Sequence, residues 1–358
     1  MYDLAVIGGG PAGAAAAWTA ARGGWRVAIL ERGAFPRDKV CGEYFSPEAL
    51  PLLREMAPQL IPASPEIATA AFVSNAGGRR EFKLPEAARG ISRLALDAAL
   101  WHAAGSAGAV LMPNAILRGA AHRGDSFELT VGTEPPLRAR HLIIAAGRWW
   151  RIEGFGVPAV SNPSPWIGVK ARLHTAQPQG LEMYLFPGGY CGLAPVENGW
   201  TNACCLVHRD HVRGLIGSAD FVAWITRIAG TPLGGRLRGA EIATPMVTTA
   251  PVELGPRAAT AGSALLAGDA CGFIDPFTGD GMARALLSGA LAAECVVTRR
   301  GGEYPAALAH AAGGSFRASS WLRSVLALPG WMQSPLLTLL AAPSIGPRLV
   351  ARTRWRCW

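Results

Sequence analysis

Residues 2–31 place the strongest constraint on what this chain can fold into. Tyr2–Ile7 is a short apolar run that ends at Gly8-Gly9-Gly10-Pro11-Ala12-Gly13, and Pro11–Arg22 is rich in alanine. An apolar run closed by glycines predicts a buried parallel strand; the alanine-rich stretch predicts a helix. A second apolar run, Trp25–Leu30, ends at Glu31. The spacing G-x-G-x-x-G between strand and helix is the signature of a dinucleotide-binding βαβ unit. Gly8 permits the tight turn, Gly10 lets the backbone approach a pyrophosphate, and Gly13 lets helix and strand pack closely. Pro11 and Ala12 open the helix, whose free N–H groups and positive partial charge suit phosphates. Glu31, with Arg32 beside it, stands at the end of the second strand, where a carboxylate can accept both hydroxyls of a ribose.

The rest of the chain is long enough for two domains: 358 residues, half of them hydrophobic and only 16% charged. The net charge is +9, carried almost wholly by arginine, since Lys39, Lys83 and Lys170 are the only lysines. The charges form no run and no nucleic-acid-binding motif occurs, so no nucleic-acid partner is expected. Seven scattered cysteines, without a CxxC pair, predict neither a disulfide framework nor a zinc site. The histidines have no metal-ligand spacing. A reducing, cytoplasmic setting fits this usage. The first residues run straight into a strand with no leader pattern, and no stretch of 18 apolar residues is present to span a bilayer.

The periodicity predicts helices over Pro47–Met56 and Leu94–Ala103, and strands over Ala68–Ser74 and Glu81–Leu84 around the Gly77-Gly78 turn. Further strands are expected at Ala109–Leu117, Phe127–Val131 and Leu137–Ala145. Four more follow between Ile167 and Leu206, with a helix at Phe221–Ile228. The pattern then returns to a strand, Ala264–Leu266, and a long helix, Gly281–Thr298. The expected fold is α/β: a Rossmann-like domain from residues 1–66, 91–155 and 255–300, with an inserted mixed β-sheet substrate domain from 67–90 and 156–254. A helical C-terminal segment, 301–358, follows. The stretch Ser319–Val350 and the basic, aromatic end from Arg352 to Trp358 read either as a cap over a pocket or as a peripheral membrane contact.

A second motif completes the first. Leu265-Leu266-Ala267-Gly268-Asp269-Ala270 puts Asp269 at the carboxyl edge of a strand, where open α/β sheets bind ligands. Pro276, Gly279 and Gly281 shape a turn that leads into the helix starting at Met282. The N–H groups there favour negative charge, such as that developing on a reduced flavin ring. With both motifs in place, the chain resembles the two-motif flavoproteins that include aromatic hydroxylases, flavin halogenases and geranylgeranyl reductases. That resemblance implies FAD as cofactor, held by Gly8, Gly10, Gly13 and Glu31 at the adenine end and by Gly268-Asp269 at the flavin end. It also implies that Arg93, in the segment Ser92–Asp97, lies by the cofactor.

The stretch Phe35–Glu43, followed by Ser46-Pro47, looks like the geranylgeranyl reductase segment in which a Cys-Gly pair, here Cys41-Gly42, lies beside the flavin ring. Independently, Cys41 is flanked by Arg37 and Lys39, surroundings that lower a thiol pKa. It is read as a proton donor or a group lining the ring; an ordinary loop thiol is the alternative. Tyr184-Leu185-Phe186-Pro187, with Tyr190, resembles the reductases' substrate-cavity motif without its Trp-rich form. Tyr184, Phe186 and Tyr190 are therefore candidate pocket residues, or simply core aromatics. The family's NADPH-dependent hydroxylases carry Asp-Gly-x-x-Ser-x-x-Arg after the third strand. Here the stretch from Ala146 to Glu153 keeps only Gly147. Electrons would then come from NADPH docked differently, or from a separate reductase or carrier.

Two reactions remain open at the level of sequence. One is reduction of a carbon–carbon double bond in a hydrophobic isoprenoid or polyketide-like molecule by hydride from flavin N5. The other is hydroxylation of an aromatic or polyketide ring through a flavin hydroperoxide. The Cys-Gly segment and the lost Asp-Gly motif tilt the reading to reduction. A non-catalytic flavin carrier is a third possibility.

Overall fold

The computed structural model describes residues 1–133, 135–148, 150–155, 164–213, 215, 217, 221–326, 342 and 345–355. β1 (Tyr2–Ile7), α1 (Pro11–Arg22) and β2 (Val27–Leu30) form the βαβ unit. Next come β3 (Tyr44–Phe45), α2 (Leu50–Met56), α3 (Leu60–Ala63), β4 (Glu66–Val73), β5 (Arg79–Gly90) and α4 (Arg93–Ser106). β6 (Val110–Met112), β7 (Leu117–Arg123), β8 (Ser126–Val131) and β9 (Leu137–Ile144) lead to the inserted strands. These are β10 (Trp166–His174), β11 (Leu181–Phe186), β12 (Gly189–Pro195) and β13 (Thr201–His208). α5 (Phe221–Ala229), α6 (Thr231–Arg236), β14 (Glu241–Ile242) and β15 (Val247–Thr249) close that part. The chain returns through β16 (Gly255–Pro256), β17 (Thr260–Ala261), β18 (Ala264–Leu266) and β19 (Gly272–Phe273). It ends in α7 (Gly281–Val297), α8 (Tyr304–Leu326) and α9 (Gly346–Thr353).

Two large sheets result. The first runs β17-β18-β9-β1-β2-β6, with β7 and β8 attached at β9; β1 is parallel to both β2 and β9. Its central strands are fully buried, as continuous apolar runs require in a parallel sheet covered on both faces. The second runs β14-β10-β13-β12-β11-β4-β5-β3. It recruits β3 from the 1–66 segment expected to belong to the nucleotide domain, because Tyr44 and Phe45 pair with Gly90 and Arg89. The strand expected over Ala109–Leu117 is two strands, β6 and the start of β7, separated by the turn at Asn114.

Small residues set the central helix packing. A Cβ at Gly289 of α7 would meet the Ala12 carbonyl oxygen of α1 at 1.9 Å, so only glycine allows this approach. Tyr304 opens α8 from the core, its hydroxyl donating to the Leu266 carbonyl at 2.7 Å. In the C-terminal segment, Val350 packs on the apolar face of the second sheet and Trp355 is buried in the main core. Pro329, Pro335, Pro343, Arg356 and Trp358 of the same stretch lie outside the described residues. No helix among the described residues is long and apolar enough to cross a membrane.

Candidate functional site

The three fingerprint glycines do three different things. Gly8 has φ +102°, and a Cβ there would meet the Ala145 carbonyl oxygen at 2.4 Å. A Cβ on Gly13 would lie 1.7 Å from the Gly8 carbonyl oxygen. Gly10 is the opposite case: nothing lies within 4 Å of where its Cβ would be. It stands over the start of α1, whose first turn has no acidic residue and no side-chain cap. The N–H groups of that turn therefore face open ground, the arrangement that receives phosphates. Gly42 and Gly281 leave the same kind of open space.

Glu31, 3% exposed, is held at its place by backbone N–H groups of Gly9 (2.7 Å) and Gly33 (3.2 Å). Arg37 adds a two-pronged ion pair at 2.5 and 2.7 Å. Burial pushes the Glu31 carboxyl up, but Arg37 and the Gly9 N–H outweigh it and hold it below the usual range. Arg32, its neighbour, is exposed.

At the other end of the groove, Asp269 follows β18, and burial raises its carboxyl against the pull of Arg148 and Arg93. Arg93 is bound two-pronged to Asp97 at 2.7 and 2.6 Å, and its charge also reaches Cys41 and Asp269. α4 is positioned by Ser92, which caps it by accepting from the Ala95 N–H at 3.0 Å. Arg148 comes from the segment where the Asp-Gly motif is missing. It donates to Thr249 at 2.7 Å and lies over the Phe273 ring at 4.3 Å. Trp149 in that segment lies outside the described residues. Pro276 is exposed, and the Met282 side chain is buried in the main core, so Met282 offers this groove only its backbone.

The loop carrying Cys41 is fixed by a buried charge network that periodicity did not reveal. Lys170 and Arg172 of β10 are fully buried, as is Glu43. Lys170 Nζ donates to Asp38 (2.5 Å), Glu43 (2.6 Å) and the Lys39 carbonyl (3.2 Å), which uses all three of its donors. Arg172 binds Glu43 (3.0 and 2.5 Å) and Asp38 (2.8 and 3.0 Å). Glu43 also accepts the Arg93 backbone N–H at 2.7 Å, so the network ties the loop to β10 and to the start of α4. Asn202 of β13 donates to the Cys41 carbonyl at 3.1 Å. The readable signal was two cations two residues apart in an otherwise apolar strand, which a half-buried sheet tolerates only with partners.

Two expectations change here. The thiol of Cys41 is not acidified: burial pushes it up, and Arg93 only partly opposes that. The neighbouring cations Arg37, Lys170, Arg172 and Arg93 are already engaged with Glu31, Asp38, Glu43 and Asp97. Tyr184 and Phe186 are not on the cofactor-facing side. Strand parity turns both to the face covered by α5 and α6, where Tyr184 donates to Glu182 at 3.1 Å. Tyr190 does face inward. It lies at 5.3 Å, edge-on, to Phe277 of the flavin-motif turn, and its hydroxyl is 3.5 Å from Asp275. The apolar wall there is made by Phe72, Phe82, Met183, Leu185 and Leu206. Met183 and Leu185 are the opposite-parity neighbours of the two residues expected.

The donor set fits FAD. Open backbone at Gly10, Gly42 and Gly281, a buried carboxylate at Glu31 and the arginines Arg93 and Arg148 whose charge reaches Asp269 are the groups that such a cofactor needs. Among the described residues no group of side chains could hold a metal ion, and the described cysteines are all unpaired.

Known proteins agree with this architecture. Residues 3–39 match the FAD dependent oxidoreductase family. The chain is 26% identical over 359 residues to a menaquinone reductase of Mycobacterium tuberculosis, covering 92% of this chain and 85% of that one. It is 30% identical over 319 residues to digeranylgeranylglycerophospholipid reductase 2 of Methanopyrus kandleri, covering 82% of this chain and 76% of the relative. Among solved structures, a geranylgeranyl bacteriochlorophyll reductase-like protein of Thermoplasma acidophilum superposes with TM-score 0.80 at 20% identity, covering 98% of this chain and 95% of that one. A flavin-dependent brominase superposes with TM-score 0.79 at 17% identity, covering 99% and 94%. At such identities these two structures speak for the fold alone. The chain therefore belongs to the geranylgeranyl reductase-like family of FAD-dependent oxidoreductases.

Proposed function

We propose that this enzyme reduces a carbon–carbon double bond in a hydrophobic, isoprenoid-like molecule. The observation that carries this reading is the clamped Cys41-Gly42 loop beside an apolar wall. A neutral thiol, open backbone and aromatic side chains suit an apolar alkene better than a polar aromatic acid. The relatives named as reductases of menaquinone and of a digeranylgeranyl lipid point the same way.

Gly8, Gly10, Gly13 and the start of α1 would hold the pyrophosphate of FAD, and Glu31 its adenosine ribose. Gly268, Asp269 and Arg93 would border the ribityl chain. Cys41, Gly42, Gly279, Gly281 and the backbone of Met282 would border the ring. FAD, when bound there, supplies the hydride. The protein orients the alkene against Tyr190 and the Phe72–Phe277 wall and keeps water away from it. The first sheet would then be the cofactor domain and the second, inserted sheet the substrate domain. Arg148 is turned inward to Thr249, so the segment that binds NADPH in related hydroxylases builds the site's edge here. A separate reductase or carrier as electron source fits that placement.

Hydroxylation is the competing reading, and oxygen separates the two. Enzyme reduced without oxygen is mixed with polyprenyl alkenes or enones under anaerobic conditions. Substrate-dependent return of the oxidised flavin absorbance is expected. Reoxidation only on adding oxygen, coupled to substrate hydroxylation, would overturn the proposal.

A further inference from the structure

The far end of the chain returns to the place where the two segments assigned to the flavin ring meet, and none of the roles above uses it. Tyr44, a buried residue, follows Glu43 directly and opens β3, where it pairs with Gly90. Its ring also covers the flavin-motif turn: a Cβ at Gly279, where φ is +69°, would meet the Tyr44 ring at 2.7 Å. One side chain thus packs on the turn and stands two residues from the Cys41-Gly42 loop. The Tyr44 hydroxyl accepts from Arg354 Nη2 at 3.1 Å, and the guanidinium lies 5.3 Å from the centre of the ring. The two residues are 310 positions apart in the chain.

Arg354 is itself held from behind. Thr353 and Trp355 on either side of it are buried, and Trp355 packs in the main core. α9, which delivers them, packs on β5, the strand that pairs with β3. Arg284 of α7 lies 5.9 Å from the centre of the Trp355 ring, a second tie between the C-terminal segment and that helix. The Arg354 side chain is 13% exposed. A cation so enclosed needs an oxygen or an aromatic face beside it, and Tyr44 supplies both. Nη1 stands 4.0 Å from Asp280 Oδ1, too far for a hydrogen bond, so Tyr44 is the contact that fixes the guanidinium. A charge-assisted hydrogen bond of this kind fixes orientation as well as distance.

We propose that Arg354 is a positioning residue for the ring end of FAD. Through Tyr44 it holds the Cys41-Gly42 loop and the turn from Gly279 to Gly281 at the spacing the ring needs, and the described end of the C-terminal segment is a strap on that half of the site. This rests on the placement of the ring proposed above and is independent of which reaction follows. The pyrophosphate and adenosine positions, at Gly10 and Glu31, are built from β1, α1, β2 and Arg37. The strap therefore acts on one half of the cofactor and leaves the other half alone.

The test compares FAD with ADP, which carries the adenosine and pyrophosphate but no ring. In Arg354→Met, FAD should bind about tenfold more weakly while ADP binds as it does to the wild type. The ring of the bound flavin should also be more open to iodide quenching, and Arg354→Lys, which keeps a charged donor, should recover most of both losses. Tyr44→Phe removes only the acceptor. It should weaken FAD by itself and cost nothing further when combined with Arg354→Met. Should Arg354→Met fail to fold, Tyr44→Phe alone carries the comparison of FAD with ADP. Equal losses of FAD and ADP, or additive losses in the double variant, would overturn the proposal. Wild-type FAD with a ring as open to iodide as free FAD would overturn the ring placement and the strap together. A shielded wild-type ring with FAD affinity unchanged in the variants would overturn the strap alone.

Discussion

Gly10 and Gly13 are three residues apart and answer to opposite constraints. Gly13 is glycine because backbone lies where a side chain would go; Gly10 is glycine although nothing in the protein occupies that place. Gly13→Ala is therefore expected to destabilise the fold. Gly10→Ala should leave unfolding of the FAD-free protein within about 0.5 kcal/mol while weakening FAD at least tenfold, about 1.4 kcal/mol. Denaturant titration and fluorescence titration with FAD measure the two. Lys39 gives a pH-dependent prediction. Burial, with Arg93 nearby, brings its amine down to about 8. Its charge reaches Glu31 and Asp269, so a pyrophosphate bound between them would favour the ammonium, and FAD binding would take up a proton wherever Lys39 is neutral. FAD affinity should fall as pH rises through this value and be flat there in Lys39→Met. A wild-type affinity that rises over this range would contradict the assignment. These positions were legible in the sequence because their spacing is tied to backbone geometry. The state of Cys41 was not: neighbouring cations in sequence suggested an acidic thiol, but burial raises it and Arg37 is engaged with Glu31, a contact that only the fold brings about.

At the level of elements, the loop between β2 and β3 is where the two sheets meet. The charges of Asp38 and Glu43 are paired with Lys170 and Arg172 of β10, more than 120 residues away in the chain. Breaking a buried network by removing one partner typically costs about 3–5 kcal/mol. Lys170→Met should lose that much in urea unfolding, and the Cys41 segment should become the first cleaved in limited proteolysis. Asp38 is held below its usual range because Lys170 and Arg172 outweigh its burial. Its contribution is present above the unfolded carboxylate pKa and is lost as pH falls through the lowered one. The wild type should therefore be more acid-sensitive than the variant. Most of the longer strands were readable from periodicity, including the hairpin of β4 and β5, whereas the short strands and the order within each sheet were not. Which face each strand turns inward was not. One residue of parity moved Tyr184 and Phe186 away from the groove and put Met183 and Leu185 there, a difference that alternation alone leaves undecided until the partner sheet is known.

At the scale of the whole molecule, the chain closes on itself around the groove. The nucleotide unit is split by the second sheet, and α9 with Arg354 and Trp355 returns from the far end of the chain to Tyr44 and the start of α7. The described end of the C-terminal segment thus packs against Tyr44 and the start of α7, a placement that its mixed basic and aromatic composition left open. The proposed alkene reduction would depend on such enclosure, since hydride and proton would both have to reach an apolar alkene without water competing. The most direct measurement is the mass of the product formed from a polyprenyl substrate by FAD-loaded, pre-reduced enzyme in D2O. Addition of two hydrogens across one double bond, one of them deuterium from solvent, is predicted; gain of one oxygen with the double bonds intact would contradict it.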